Sequence, residues 1–146
     1  MKKILIAITL FFAITANAFA GEDEVKPEVL NAFKATFTTA EDVTWVAGND
    51  YYKAAFQYYG MQMFAYYSTA GKLIGVTRHM SSTELPLFLL YSLKENYGNY
   101  WITNVVEESN KNGFSFYITL EDAQTRLILK SKHGSSWTVY SQQQKL

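Results

Sequence analysis

The stretch from Tyr51 to Ser68, YYKAAFQYYGMQMFAYYS, decides the fold. Its first half alternates along a strand, so Phe56 and every second neighbour share one face, which we expect to be buried. Gly60 marks a hairpin turn, and Met63 to Ser68 supplies the returning strand. The same alternation places four other side chains on the opposite face: Tyr51, Lys53, Gln57 and Tyr59.

Helical spacing precedes this hairpin and returns later in the chain. Pro suits the first turn of a helix, and Pro27 and Pro86 each open an apolar run. The pattern predicts helices at about 27–37 and 86–97. The predicted core-facing residues of the helices are Leu30, Phe33, Phe37, Leu89 and Leu93.

The second half also reads as antiparallel strands. Asn112-Gly113 between two strand-like segments is a strong hairpin signal. Phe116, Ile118 and Leu120 alternate with more polar residues, so one face is expected to be buried. By the same parity, Tyr117, Arg126 and Lys130 fall on the opposite face.

These elements recur in order, at a separation of about 60 residues. Ser68–Gly71 and Ser131–Gly134 share a Ser-x-x-Gly turn between strands. The predicted fold class is therefore α+β. It is a tandem repeat of one helix plus about four antiparallel strands, with helices on one side of a sheet. The repeats are expected at 21–80 and 81–146 in one shared-core domain, because a unit of this size buries little surface alone.

The first twenty residues predict a secretory signal rather than part of the fold. Lys2 and Lys3 precede an apolar run, and Ala18-Phe19-Ala20 has the small-x-small pattern of a cleavage point. The alternative is an N-terminal membrane anchor, but the apolar run is shorter than the about 20 residues that a membrane span needs. Cleavage of residues 1–20 predicts a periplasmic or secreted protein that has no membrane contact afterwards.

Composition excludes several classes of function. Thirteen basic residues balance thirteen acidic ones, which argues against nucleic-acid binding. There is no Cys, so thiol chemistry and disulfides are excluded. His79 and His133 are expected to be solvated, and the acidic pairs 41–42, 107–108 and 121–122 lie at strand ends or turns. We therefore predict no catalytic residues, no metal, no cofactor and no enzymatic activity.

Short motifs in a fixed order carry a family resemblance. They are the apolar run after Pro27, Val43-x-Trp45, Tyr52-x-x-x-Phe56, the Tyr67-x-x-x-Gly71 turn and Leu85-Pro86. In this order the chain resembles the exported PepSY-like proteins of Bacteroidetes, also called beta-lactamase-inhibitor-like proteins. The resemblance implies tandem helix-plus-sheet units. It also implies binding or inhibition of an exported protein, without catalysis.

Aromatic and cationic residues on the helix-free face complete the functional prediction. Tyr and Arg are enriched where proteins bind proteins. The predicted partner-binding residues are Tyr51, Lys53, Gln57, Tyr59, Tyr117, Arg126 and Lys130. The leading hypothesis is an exported binding module, an inhibitor or regulator of another exported protein. The alternatives are a carrier of a small apolar or glycan ligand and, more remotely, a hydrolase. A homodimer formed through the same face would use the same residues.

Overall fold

The computed structural model describes residues 19–146, so nearly all of the predicted signal segment lies outside the described residues. These residues form two α-helices and nine β-strands, and the strand pairings within each unit are antiparallel. The fold class is α+β, as predicted. The chain divides into two compact units, the first ending at Val76 and the second beginning at Thr77.

The first unit places one helix against antiparallel strands that pair in chain order. A short 3-10 helix, Glu22–Glu24, precedes α1, and β5 continues past Val76 into the second unit. Its elements are β1 (Phe19–Ala20), α1 (Pro27–Thr36), β2 (Glu41–Ala47), β3 (Tyr51–Tyr58), β4 (Met61–Ser68) and β5 (Leu73–His79).

An aromatic core holds α1 on these strands. Pro27 begins the helix, Phe33 lies on its inner face, and Phe37 follows directly after its last residue. The Phe33 ring lies 4.9 Å from the Phe56 ring and 5.2 Å from the Trp45 ring, both nearly perpendicular to it. Such edge-to-face pairs stabilise a core beyond the area that they bury. The predicted burial of Phe33, Phe37 and Phe56 is confirmed, whereas Leu30 is only half-buried.

The second unit has the same kinds of elements. Ser81 and Glu84 form a capping box on a 3-10 helix, Ser82–Glu84, that precedes the α-helix. The α-helix begins one residue after Pro86. The elements are α2 (Leu87–Tyr97), β6 (Trp101–Asn110), β7 (Gly113–Glu121), β8 (Thr125–Lys132) and β9 (Thr138–Gln144).

The core of the second unit is mainly aliphatic, whereas aromatic rings dominate that of the first. Leu89 and Leu93 of α2 pack on the strand residues predicted to face them, and all five of these predicted core residues are buried: Leu89, Leu93, Phe116, Ile118 and Leu120. The Trp137 indole N–H donates a hydrogen bond to the Leu89 carbonyl at 3.0 Å. This bond satisfies the polar atom of a buried Trp.

Candidate functional site

The strand face opposite α1 carries a lysine packed on aromatic rings. Lys53 of β3 lies opposite Tyr66 of β4 in the strand register. Its Nζ is 4.6 Å from the centre of the Phe64 ring and 5.8 Å from that of Tyr66. The Tyr51 ring lies 6.3 Å from the Tyr66 ring. Burial lowers the pKa of the Lys53 ammonium, because a charged group loses hydration there.

The other two predicted residues of this unit lie elsewhere. Gln57 is on the same face as Lys53, and its side-chain amide donates a hydrogen bond to Gln62 at 2.8 Å. Tyr59 follows β3 and has φ of 49°, so strand alternation does not set its direction. Its ring is 78% exposed and lies 4.6 Å from the Tyr58 ring. The structure therefore brings Tyr51 and Lys53 together, whereas Tyr59 lies in the turn.

A second lysine–tyrosine pair lies on the strand face opposite α2. Tyr117 of β7 and Lys130 of β8 face each other in the register, with the Lys130 Nζ 4.9 Å from the ring centre. The Tyr140 ring of β9 stands almost perpendicular to the Tyr117 ring at 5.5 Å. The expectation that Tyr117 is exposed is wrong, since these neighbours leave it 5% exposed. Lys130 remains half-buried and partly accessible.

A buried carboxylate that was not predicted from the sequence lies beside this pair. Glu108 of β6 is 7% exposed and accepts a hydrogen bond from the Asn110 side chain at 3.3 Å. Burial raises the pKa of the Tyr117 phenol, and the Glu108 carboxylate raises it further. The same carboxylate opposes the fall in the pKa of Lys130 that burial causes. Alternation along β6 was the available signal, because Glu108 shares its parity with Val106, which lies opposite Tyr117.

Arg126 and Arg78 form ion pairs with carboxylates of their own unit. Arg126 is on the same face as Lys130, but its Nε lies 2.9 Å from Glu121, which also binds Lys145 at 2.7 Å. Arg78 bridges Glu84 and Glu107 at 3.1 and 2.8 Å. Two of the predicted acidic pairs therefore place one carboxylate each in an ion pair with basic side chains.

A groove lies along α1 in the first unit, with a volume of about 620 Å³. Apolar side chains of α1 and β2 line it, and so do Lys34 and Glu22, which form an ion pair at 3.2 Å. The apolar residues that line the groove include Phe19, Ala20, Leu30, Phe33, Val43 and Trp45. A pocket formed by these residues was not predicted from the sequence.

Neither histidine belongs to a metal-binding cluster. Within residues 19–146, no three His, Asp or Glu side chains are grouped as metal ligands would be. The His79 Nδ1 lies 2.8 Å from the Asn104 side-chain oxygen, and the His133 ring lies against Phe114 at 5.8 Å. In the same residues, no helix is long and apolar enough to cross a membrane.

Solved structures share the fold of this chain. A BLIP-like protein from Bacteroides fragilis NCTC 9343 matches with a TM-score of 0.70 at 20% identity, covering 82% of this chain and 85% of that one. A candidate periplasmic protein from Bacteroides eggerthii DSM 20697 matches with a TM-score of 0.72 at 16% identity, covering 82% of this chain and 88% of that one. A DUF2874 family protein from Bacteroides uniformis ATCC 8492 gives the same four values as the latter.

These similarities establish the fold and confirm, at that level, the resemblance drawn from the sequence. No family model matches the sequence, and no curated protein matches it. The predicted periplasmic or secreted location agrees with the candidate periplasmic protein among the structural neighbours.

Proposed function

We propose that this chain is an exported, non-catalytic binding module whose strand faces opposite the helices bind another exported protein. The observation that carries the proposal is a half-buried ammonium group over an aromatic ring in each unit, Lys53 over Phe64 and Lys130 over Tyr117. Cations packed on aromatic rings gain from desolvation, and a partner that covers them strengthens the interaction. Aromatic and cationic groups in this arrangement suit a protein interface.

The structural neighbours and the charged groups support the same function. One neighbour is named as BLIP-like, and we propose that inhibition or regulation of an exported protein is the role of this chain as well. Glu107 and Glu121 form ion pairs with basic side chains. A general acid or base is a titratable group that is free to exchange a proton with the reacting atoms. These two carboxylates are instead held in ion pairs, which supports a role without catalysis.

We further propose that the two units are a tandem repeat. Each has a 3-10 helix followed by an α-helix, and buried residues recur about 60 positions apart. The pairs are Val25 with Leu85, Val29 with Leu89, and Phe33 with Leu93. Each unit also carries a lysine over an aromatic ring, but the strands are exchanged: Lys53 lies on the first strand of its hairpin, β3, and Lys130 on the second, β8. Two such contacts suit a partner with two matching sites.

Export is tested by the N-terminus of the protein. We expect intact-mass measurement of the protein recovered from the periplasm or medium to show a chain that begins at Gly21. The reason is the small-x-small pattern at Ala18-Phe19-Ala20. Recovery of an uncleaved chain in the membrane fraction would contradict the prediction.

The binding face is tested by replacing its accessible residues. We expect the double variant Tyr51→Ala and Lys53→Gln to weaken the affinity for the exported partner about tenfold or more, since aromatic and cationic anchors dominate many interfaces. The partner is first captured from a periplasmic extract, and its affinity is then measured by calorimetry.

The matched control for that variant lies on a helix. Tyr91 of α2 is 63% exposed, so Tyr91→Ala also removes an accessible phenol. This control should bind the partner with unchanged affinity. Equal losses in the face variant and the control, or no loss in either, would contradict the proposed face. Self-association of the wild type that the face variant abolishes, with no partner captured, would indicate the homodimer instead.

A further inference from the structure

The outer edge of β2 is covered by two residues that precede the predicted cleavage point. Phe19 and Ala20 pair antiparallel with Val46 and Trp45, on the edge of β2 opposite to β3. Cleavage after Ala20 removes both residues together. β2 then loses its partner on one edge, and the groove along α1 loses one wall. An exposed strand edge is a template for pairing with another chain.

The edge that becomes accessible is short and well defined. The register between β2 and β3 shifts between Glu41 and Thr44, and Asp42 has φ of 51°. Such an irregularity bends the edge and interrupts its pairing. The regular part therefore runs from Thr44 to Ala47, with the Trp45 side chain directed to the core. A segment of about four residues can pair with an edge of this length.

The residues now on that edge define the chemistry that fits it. Ala20 is 8% exposed and belongs to the same buried cluster as Trp45 and Phe33. Phe19 is 80% exposed. A fitting strand therefore places a small side chain opposite Trp45, where a large one would meet the packed core. The position opposite Val46 accepts a large side chain.

We propose that the mature chain binds an extended segment of a partner protein as an added antiparallel strand on β2, with a small side chain opposite Trp45. Backbone hydrogen bonds supply the affinity in strand addition, and the pocket for an alternate side chain supplies selectivity. The proposal rests on the predicted cleavage and not on the strand faces around Lys53 and Lys130. The binding experiment above can therefore fail without affecting it, and the reverse holds as well.

Cross-linking tests the proposal, because the sequence has no Cys to interfere. The full chain carrying Val46→Cys is exported and purified, and its N-terminus is read by mass spectrometry. The probe is a capped peptide of residues 17–21 with F19C, since residue 19 lies directly opposite Val46 in the register. Its thiol is supplied as the mixed disulfide with 5-thio-2-nitrobenzoate, so the V46C thiolate displaces that group and no oxidant is needed. The matched control is Val139→Cys on β9, where Val139 is 58% exposed.

We expect disulfide formation to saturate with peptide concentration and to be at least about tenfold faster with V46C than with V139C. A peptide that also carries A20W should lose this advantage. Equal rates for the two variants, or an unprocessed chain that takes up no peptide, would overturn the proposal. So would V46C chains that cross-link only to one another, or a groove that binds the apolar dye 1-anilinonaphthalene-8-sulfonate but no peptide.

Discussion

Replacing Phe56 with Ala is expected to lower the free energy of unfolding by about 3–5 kcal/mol, the usual cost of truncating a large core aromatic residue. The Phe56 side chain is 0% exposed. Its ring lies 4.9 Å from that of Phe33 and 4.7 Å from that of Phe37. Truncation of Phe56 therefore leaves a cavity between α1 and the strands on which it packs. Urea unfolding followed by circular dichroism gives the value.

A matched control for Phe56→Ala is available on α2. Phe88 is 65% exposed, so Phe88→Ala removes the same atoms from an accessible position and should cost less than about 1 kcal/mol. A loss below about 1 kcal/mol for Phe56→Ala would contradict the direction assigned to every side chain of β3. Lys53 would then lie on the core side of β3 and not on the proposed binding face.

The core was predictable because it depends on local periodicity. Phe33 and Leu93 follow helical spacing, while Phe56 and Ile118 follow strand alternation, and periodicity fixes which side of an element is buried. It does not fix how deeply the opposite side is covered. Tyr117 has the predicted parity, yet Lys130 and Tyr140 cover it. Packing of this kind depends on strand pairing over long sequence separations.

Turns and the charged cluster were harder to predict for a different reason. Tyr59 looks like the next alternating residue after Gln57, but β3 ends at Tyr58 and the positive φ of Tyr59 turns the chain. Glu108 belongs to an adjacent acidic pair that the sequence places at the end of a strand. Alternation does separate the pair, but the face that receives Glu108 is covered rather than open. The groove along α1 depends on how β1 pairs with β2, which no local pattern encodes.

Stability is expected to fall steeply at alkaline pH because each unit buries a tyrosine. Burial raises the pKa of Tyr67, against a smaller opposing effect of the neighbouring Thr36 side chain. Burial also raises the pKa of Tyr117, with Glu108 adding to the shift. Tyr67 is 1% exposed and Tyr117 is 5% exposed, so solvent screens neither group strongly.

The direction of this change follows from the number of protons that the folded and the unfolded chain bind. Above pH of about 10 the unfolded chain releases these phenol protons while the folded chain keeps them, so the free energy of unfolding falls as pH rises. The slope is about 1.4 kcal/mol per pH unit for each phenol until its folded pKa is reached. Lys53 and Lys130 have lowered pKa values. They act in the opposite direction, but only below about pH 10.5, where an unfolded lysine still holds its proton.

Tyr117→Phe isolates the contribution of one phenol. Guanidinium unfolding of the variant between about pH 10.5 and 12 should show a slope that is shallower by about 1.4 kcal/mol per pH unit than that of the wild type. Slopes are compared rather than absolute stabilities, because the substitution also removes a hydroxyl beside the buried Glu108.

Tyr59→Phe is the matched control, since it removes a phenol that is 78% exposed. Parallel slopes for the wild type and Tyr117→Phe would show that the Tyr117 phenol ionises as readily in the folded chain as in the unfolded one. The tight packing of Tyr117 beneath Lys130 and Tyr140 would then be wrong, and so would the arrangement on which the second half of the proposed binding face depends.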